Sequence, residues 1–220
     1  MRWLMLVATV GTMAFAQGCA TPPAVDYSAF LSARPASVLV LPPLNESPDV
    51  KGTQGVWAHA TRPLAEAGYY VLPVTLVDTM LKENGVQTPA DAHEIPYPKL
   101  REVFGADAAL YLTVKQYGTR FAVLSSETRV DVQGRIVDLR DGQVLWSGQA
   151  AASSAEHSGH AGGGLGGLLA TALVKQVVET ATDHGYNVAA IADQRLLEVP
   201  RHNGVLPGPR SPLFGQVPSR

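Results

Sequence analysis

The chain has 220 residues, 46% of them apolar and 16% charged, with 17 Lys+Arg against 19 Asp+Glu for a formal charge of −2. That length suffices for one domain with a sizeable core, and the acidic balance excludes the broad basic patch that a nucleic-acid partner requires. A single cysteine, Cys19, rules out internal disulfides and thiolate metal clusters, so the fold must rest on packing.

Residues 1–18 open with Arg2, run apolar from Trp3 to Ala16 and end in small residues, the layout of a secretory signal peptide. A membrane span needs about 20 apolar residues, and this run stops at Gln17. Cys19 directly follows Ala16-Gln17-Gly18, which resembles the bacterial lipobox. In that motif the thiol takes a diacylglyceryl group, the leader is cut before the cysteine, and the freed amine is acylated, commonly with palmitate. Gln17 and the lack of leucine at position 16 depart from its strongest form. Arg2 is the sole charge in the leader, so the rest of the chain has 16 cationic and 19 anionic side chains, a formal charge of −3. Acyl chains contribute about 0.8 kcal/mol per buried CH₂, so two or three of them hold a protein firmly at a membrane. Ala20, where aspartate would signal inner-membrane retention, points to the outer membrane with the domain facing the periplasm; surface exposure stays open. No cofactor is expected beyond the covalent diacylglycerol and N-acyl chain on Cys19.

Residues 19–35, with Pro22, Pro23 and Pro35, read as a lipidated tether, residues 36–199 as a single domain, and residues 200–220 as an irregular Pro/Gly-rich tail. Within the domain, Ser37–Leu41 is a buried strand ended by Pro42-Pro43. The loop Asn45–Asp49 follows, then a helix over Val56–Ala67 with Trp57, Ala60 and Leu64 on one face and Gly68 as its left-handed stop. Pro63 fits such a helix only if it falls in the first turn. Tyr69–Val74 supplies a second strand, so the unit reads as βαβ with parallel pairing. Short helices are predicted at Leu76–Asn84, stopped by Gly85, and at Lys99–Phe104, stopped by Gly105. Ala108–Tyr117, Thr128–Leu139 and Gln143–Gln149 then form an antiparallel meander with one wet face, turning at Asp141-Gly142. In the last strand Val144 and Trp146 share a face and Leu145 takes the other. After the low-complexity stretch Ala150–Gly167, a helix spans Leu165–Leu197 and bends or breaks at Gly185. The fold class is therefore α/β (α+β): a mixed sheet with an N-terminal βαβ unit, an antiparallel meander and a long C-terminal helix.

Motifs that carry chemistry are scarce. Gly162-x-Gly164-x-x-Gly167 spells a dinucleotide fingerprint, but no strand runs into it, so a glycine hinge before a helix is the better reading. Glu156-His157-Ser158-Gly159-His160 offers two imidazoles and a carboxylate, short of a full metal-ligand set, and no metal is expected. No Gly-x-Ser-x-Gly elbow and no Ser-x-x-Lys occurs; the chain is not expected to be an enzyme. Between Leu165 and Val178 the predicted helix is apolar around most of its circumference. A helix buried in its own domain satisfies this, and so does one packed on a second subunit through Leu165, Leu168 and Leu169. The latter implies a homodimer. Proline-fixed loops lose less entropy on docking, which makes Asn45, Glu46 and Pro48, and Arg210 in the tail, candidate contact residues.

Several segments in order add a resemblance: the lipobox, Val38–Val50, Pro63–Val71, Leu100–Ala108, Val137–Gly142 and Gly208–Pro212. Together they resemble a bacterial lipoprotein family defined by domain of unknown function 799, which includes a neisserial antigen. The resemblance implies an outer-membrane-attached periplasmic α/β domain similar in fold to the N-terminal domain of the Tol-system translocation protein. It also implies a genomic neighbourhood with a curli-secretion-type lipoprotein, hence envelope-protein partners in addition to the membrane. Of functional residues, only Cys19 carries over. The expected function is that of a non-enzymatic accessory or scaffold of an envelope assembly, curli-secretion-like or transport-related. The alternative is a ligand-binding accessory of an envelope transporter, with a pocket at the carboxyl ends of Leu41 and Val74.

Overall fold

Two apolar runs flanking a long helix pair in parallel, as their spacing predicts. The computed structural model describes residues 25–122, 125–157 and 184–217; Cys19 and the leader, the Gly-rich stretch and Leu165–Val178 lie outside them. Strand β1 (Ser37–Val40) pairs with β3 (Tyr70–Val71) in the register Ser37↔Tyr70, and α2 (Gly52–Glu66) connects them. On its other side β1 pairs in parallel with β4 (Ala108–Ala122), Val38 opposite Ala108. With a neighbour on each edge and cover on both faces, Val38, Leu39, Val40 and Leu41 are all fully buried. Asp107 staples the start of this pairing: one carboxylate oxygen accepts from the Ala36 and Ser37 amides and the Ser37 hydroxyl at 3.0, 3.1 and 3.0 Å.

Helix α2 starts at Gly52, earlier than expected, so Pro63 falls near its carboxyl end instead of in the first turn. Pro63 therefore withholds the amide that would bond His59 O, a loss the helix carries, while the Ala67 amide still donates to Pro63 O at 2.9 Å. Trp57, Ala60 and Leu64 are buried as predicted, and the Trp57 indole donates to Val40 O at 3.0 Å, fastening helix to sheet. Gly68 takes φ +96 and ends the helix. The second strand is shorter than Tyr69–Val74, since Pro73 cannot donate and α3 (Val74–Glu83) begins directly after it. Sequence periodicity did not indicate α4 (Pro89–Glu94), a single turn and a half started by proline and by Thr88, whose hydroxyl accepts the Asp91 amide at 3.2 Å. Helix α5 (Tyr97–Phe104) ends at Gly105.

The meander β4, β5 (Ser125–Asp138) and β6 (Val144–Ser153) completes the sheet in the order β3-β1-β4-β5-β6, with the two-residue β2 (Leu44–Asn45) also paired to β4. A register shift places Val137 opposite Val144 but Ile136 opposite Trp146. This bulge corrects the expected alternation: Leu145 is the extra residue, so Leu145 and Trp146 are both buried while Val144 is 49% exposed. Helices α2 and α6 (His184–Leu197) cover one face of the meander, where Val188, Ala189, Ala192, Leu196 and Leu197 meet Val130, Val132 and Ile136. Among the described residues no helix is long and apolar enough to cross a membrane.

Both supposed appendages are in fact part of the domain. Within the expected tether, α1 (Ser28–Ala33) buries Phe30, and Tyr27 donates its hydroxyl to Gly204 O at 2.6 Å. Within the expected tail, Val205 and Leu206 are core residues. The Gly208 and Arg210 amides donate to Ala67 O and Gly68 O at 2.8 and 3.1 Å. The domain thus exceeds 36–199 at both ends. A few aromatic and aliphatic side chains in irregular backbone carry too little periodicity to reveal such docking.

Candidate functional site

The face of the meander turned away from α2 and α6 is wet, as alternation along β4 and β5 predicts. Tyr111 and Arg135 are direct cross-strand partners, and the Arg135 guanidinium lies 4.8 Å from the Tyr111 ring centroid. His93, delivered by α4, meets the same ring edge-on at 5.0 Å, and Tyr97 of α5 does so at 6.2 Å. The His93 Nε2–H donates to Pro42 O at 3.0 Å, which ties α4 to the end of β1. Burial holds the imidazole below its ordinary pKa and the Arg135 charge adds to this, against the opposing pull of the Pro42 carbonyl. Neutral His93 is therefore the working form. Burial pushes the Tyr111 phenol up to about 12, so it keeps its proton, and its oxygen has no hydrogen-bond partner among the described residues.

Beside this stack lies an open groove of about 470 Å³, floored by Thr113, Gln133, Arg135, Ser147 and Gln149 and bordered by Leu44 and His93. A second hollow of about 530 Å³ shares Gln133 and Gln149 and adds Lys115, Arg129, Asp131 and Arg201. Lys115 is paired to Glu46 at 2.6 Å and Arg129 to Asp131 at 2.9 Å, whereas Arg135 has no carboxylate partner among the described residues. The floor of the first groove thus offers amides, hydroxyls and the Arg135 cation, which has no carboxylate partner among the described residues. Such a surface suits polar recognition.

The expected contact residues fall in separate places. Asn45 is turned into its own loop: its Oδ1 accepts from the Ser47 amide and hydroxyl at 3.0 and 2.7 Å, and its Nδ2 donates to Asp49 O at 2.8 Å. Glu46 and Pro48 are exposed, and Glu46 borders the second hollow through Lys115. Arg210 lies 5.6 Å over the ring of Tyr70, on edge strand β3, and does not share the groove. Cys19, Leu165, Leu168 and Leu169 lie outside the described residues. The alternative pocket is half matched: the chain leaving Leu41 does lead to the groove through Pro42 and Leu44, but Val74 begins a helix rather than ending a strand. Glu156, considered for a metal, is bound to Arg195 at 2.5 Å, and no cluster of three or more metal-ligating side chains occurs among the described residues. Sequence reasoning missed Tyr111, Arg135 and His93. The wet-face alternation of β4 and β5 was visible, but not the register that sets Tyr111 against Arg135.

A family profile described as "Putative lipoprotein GNA1162-like" matches residues 25–210. The chain belongs to the GNA1162-like family. The matched span takes in α1 and the Val205–Arg210 segment, so the docked ends belong to the family domain. The chain is 48% identical over 188 residues to "Putative lipoprotein NMB1124/NMB1162" of Neisseria meningitidis serogroup B, covering 86% of each. The crystal structure of lipoprotein GNA1162 from N. meningitidis aligns with a TM-score of 0.53 at 48% identity, over 66% of this chain and 99% of that one. A looser likeness, with a TM-score of 0.40 at 19% identity, covers 57% of this chain and 90% of the LpoB C-terminal domain from Salmonella enterica.

Proposed function

We propose that this GNA1162-like protein is a lipid-anchored accessory or scaffold of an envelope assembly, curli-secretion-like or transport-related, working by protein contact rather than catalysis. Acyl chains on Cys19 hold it to the outer membrane with the domain in the periplasm. Membership of a family named for lipoproteins supports the anchor, as do the leader and lipobox spelling. The observation that carries the contact role is the face of β4–β6 left open by the described residues, where Arg135 has no carboxylate partner among them and Gln149 accepts from Gln133 at 3.5 Å beside the groove. Anchoring raises local concentration, so weak contacts through this face suffice. The test is photo-crosslinking in intact cells from a reactive amino acid at Gln149, with Glu83 on α3 as the control position. One envelope protein captured from Gln149, absent from Glu83 and lost with Arg135→Glu, is the expected result. Identical capture patterns from both positions would refute the reading.

The groove beside Leu44 also favours a second reading, a small-ligand accessory of a transporter. Native mass spectrometry of protein taken from envelopes decides between them: a small molecule retained by wild type and lost with Arg135→Glu supports the ligand. Self-association through the Leu165–Val178 segment is part of the proposal, and light scattering of the mature chain tests it.

A further inference from the structure

Five residues separate Cys19 from Val25, six Cα steps that span about 20 Å when fully extended. Val25 is pinned to the domain, its amide donating to Asn203 Oδ1 at 3.1 Å, and Tyr27 is pinned to Gly204. Whatever surface holds an acylated Cys19 is therefore close to the Val25 end of the fold. Apolar side chains are exposed along the helix that follows. Leu31 and Phe214 are 42% and 45% exposed, and they meet Phe30 and Pro207 around a small recess of about 110 Å³. Single exposed aliphatics are ordinary on protein surfaces. Here two chain segments, far apart in sequence, bring theirs together beside the exit of the tether. Arg34 lines the same recess, its Nε donating only to Leu31 O at 3.3 Å, with no carboxylate partner among the described residues.

We infer that this face, formed by Leu31, Phe214 and Arg34, rests on the phospholipid surface to which the protein is anchored. The apolar side chains enter the headgroup boundary, and the guanidinium reaches the lipid phosphates. The inference rests on acylation of Cys19. Given that, the short tether argues for a bilayer as the occupant: about 20 Å of chain keeps the lipid surface near Val25, from which α1 leads to Leu31 and Arg34. The consequence is a fixed orientation, because a domain held by acyl chains and by a second apolar contact does not tumble freely about its tether.

Acylation consumes the natural thiol, so an introduced cysteine is the sole labelling site. Full-length mature protein carrying Phe214→Cys, Leu31→Cys or, as control, Gln133→Cys is labelled with an environment-sensitive fluorophore. Each is reconstituted in phosphatidylethanolamine–phosphatidylglycerol vesicles containing nitroxide-labelled lipid. Intact mass of the same samples reports acylation. The expected result is a blue shift and several-fold stronger nitroxide quenching at Phe214 and Leu31 than at Gln133. Having two patch positions guards against one variant that fails to fold. Acylated protein whose patch probes are quenched no more than Gln133 overturns the inference and leaves the anchor standing. A blue shift without lipid quenching assigns the face to a protein or a second copy and also overturns it. Unmodified Cys19 overturns the anchor, and the inference with it.

Discussion

Asp193 is the most exacting test of how this domain is held together. It lies on α6 among Ala189, Ala192 and Leu196, is fully buried, and has no partner for either carboxylate oxygen among the described residues. Burial raises its pKa well above the ordinary value, so the native state keeps the proton. In the unfolded chain the same group ionises near pH 4. From there up to its native pKa the native state binds more protons than the unfolded one, so stability falls as pH rises, by about 1.4 kcal/mol per pH unit. Asp193→Asn keeps the shape and removes the titration. The variant should match wild type within about 1 kcal/mol near pH 4 and become progressively more stable than it toward neutrality. His59 and His93 are both held below their ordinary pKa by burial, so their contribution runs the other way and is lost as pH falls below about 6.5. Subtracting wild type from variant cancels it. Urea unfolding at each pH can be followed through Trp57 and Trp146, both buried in the native state. Parallel stability curves between pH 4 and 7, or an Asn variant weaker at neutral pH, would show that Asp193 is charged and paired, and the reasoning would fail.

Gly55→Ala should destabilise although alanine is the better helix former by about 1 kcal/mol, because the added Cβ would stand 2.7 Å from Tyr117 Oη; thermal unfolding gives the sign. Gly68→Ala should do the same and also loosen residues 205–217. Its φ is +96 and the new Cβ would meet the Ser211 backbone at 2.4 Å; the readout is faster proteolysis at that end, with a loss of about 1–3 kcal/mol. Asp107→Ala should cost about 1–3 kcal/mol, since it leaves the amides at the start of β1 without their acceptor, and hydrogen exchange at Ala36 and Ser37 should accelerate. A shift below about 0.5 kcal/mol would show that water replaces the carboxylate.

What sequence made legible follows from where periodicity is strong. The run Val38–Leu41, the stripe Trp57–Ala60–Leu64 and the alternation Val130–Val132 each repeat one physical demand several times, and each element stands where expected. Glycines forced into positive φ, at Gly68, Gly85 and Gly105, marked helix ends for the same reason. The misses are single events. One extra residue at Leu145 inverts a face, and one proline-started turn makes α4. The packing of Tyr27 on Gly204 depends on two segments 177 residues apart. The site was the least legible part. Tyr111 and Arg135 read as unremarkable members of a wet face until register set them opposite each other, and His93 joins them through a helix that sequence did not announce.

The two ends of the described chain meet at Asn203, and this bears on how an anchor and a contact face coexist. Asn203 adopts a left-handed φ of 56, which asparagine tolerates better than most residues. That turn lets its side chain take the Val25 amide while its carbonyl takes the Trp146 indole at 2.9 Å. Tension on the N-terminal stretch therefore passes to the bulged start of β6, at the sheet edge. Gln133, Arg135 and Tyr111 are set by the long β4–β5 ladder, and Gln133 and Arg135 pair on their other side with Gln149 and Ser147 of β6. In the proposed scaffold the tether and the contact face are therefore joined through β6, because Ser147 and Gln149 of the groove floor follow Trp146 on that strand.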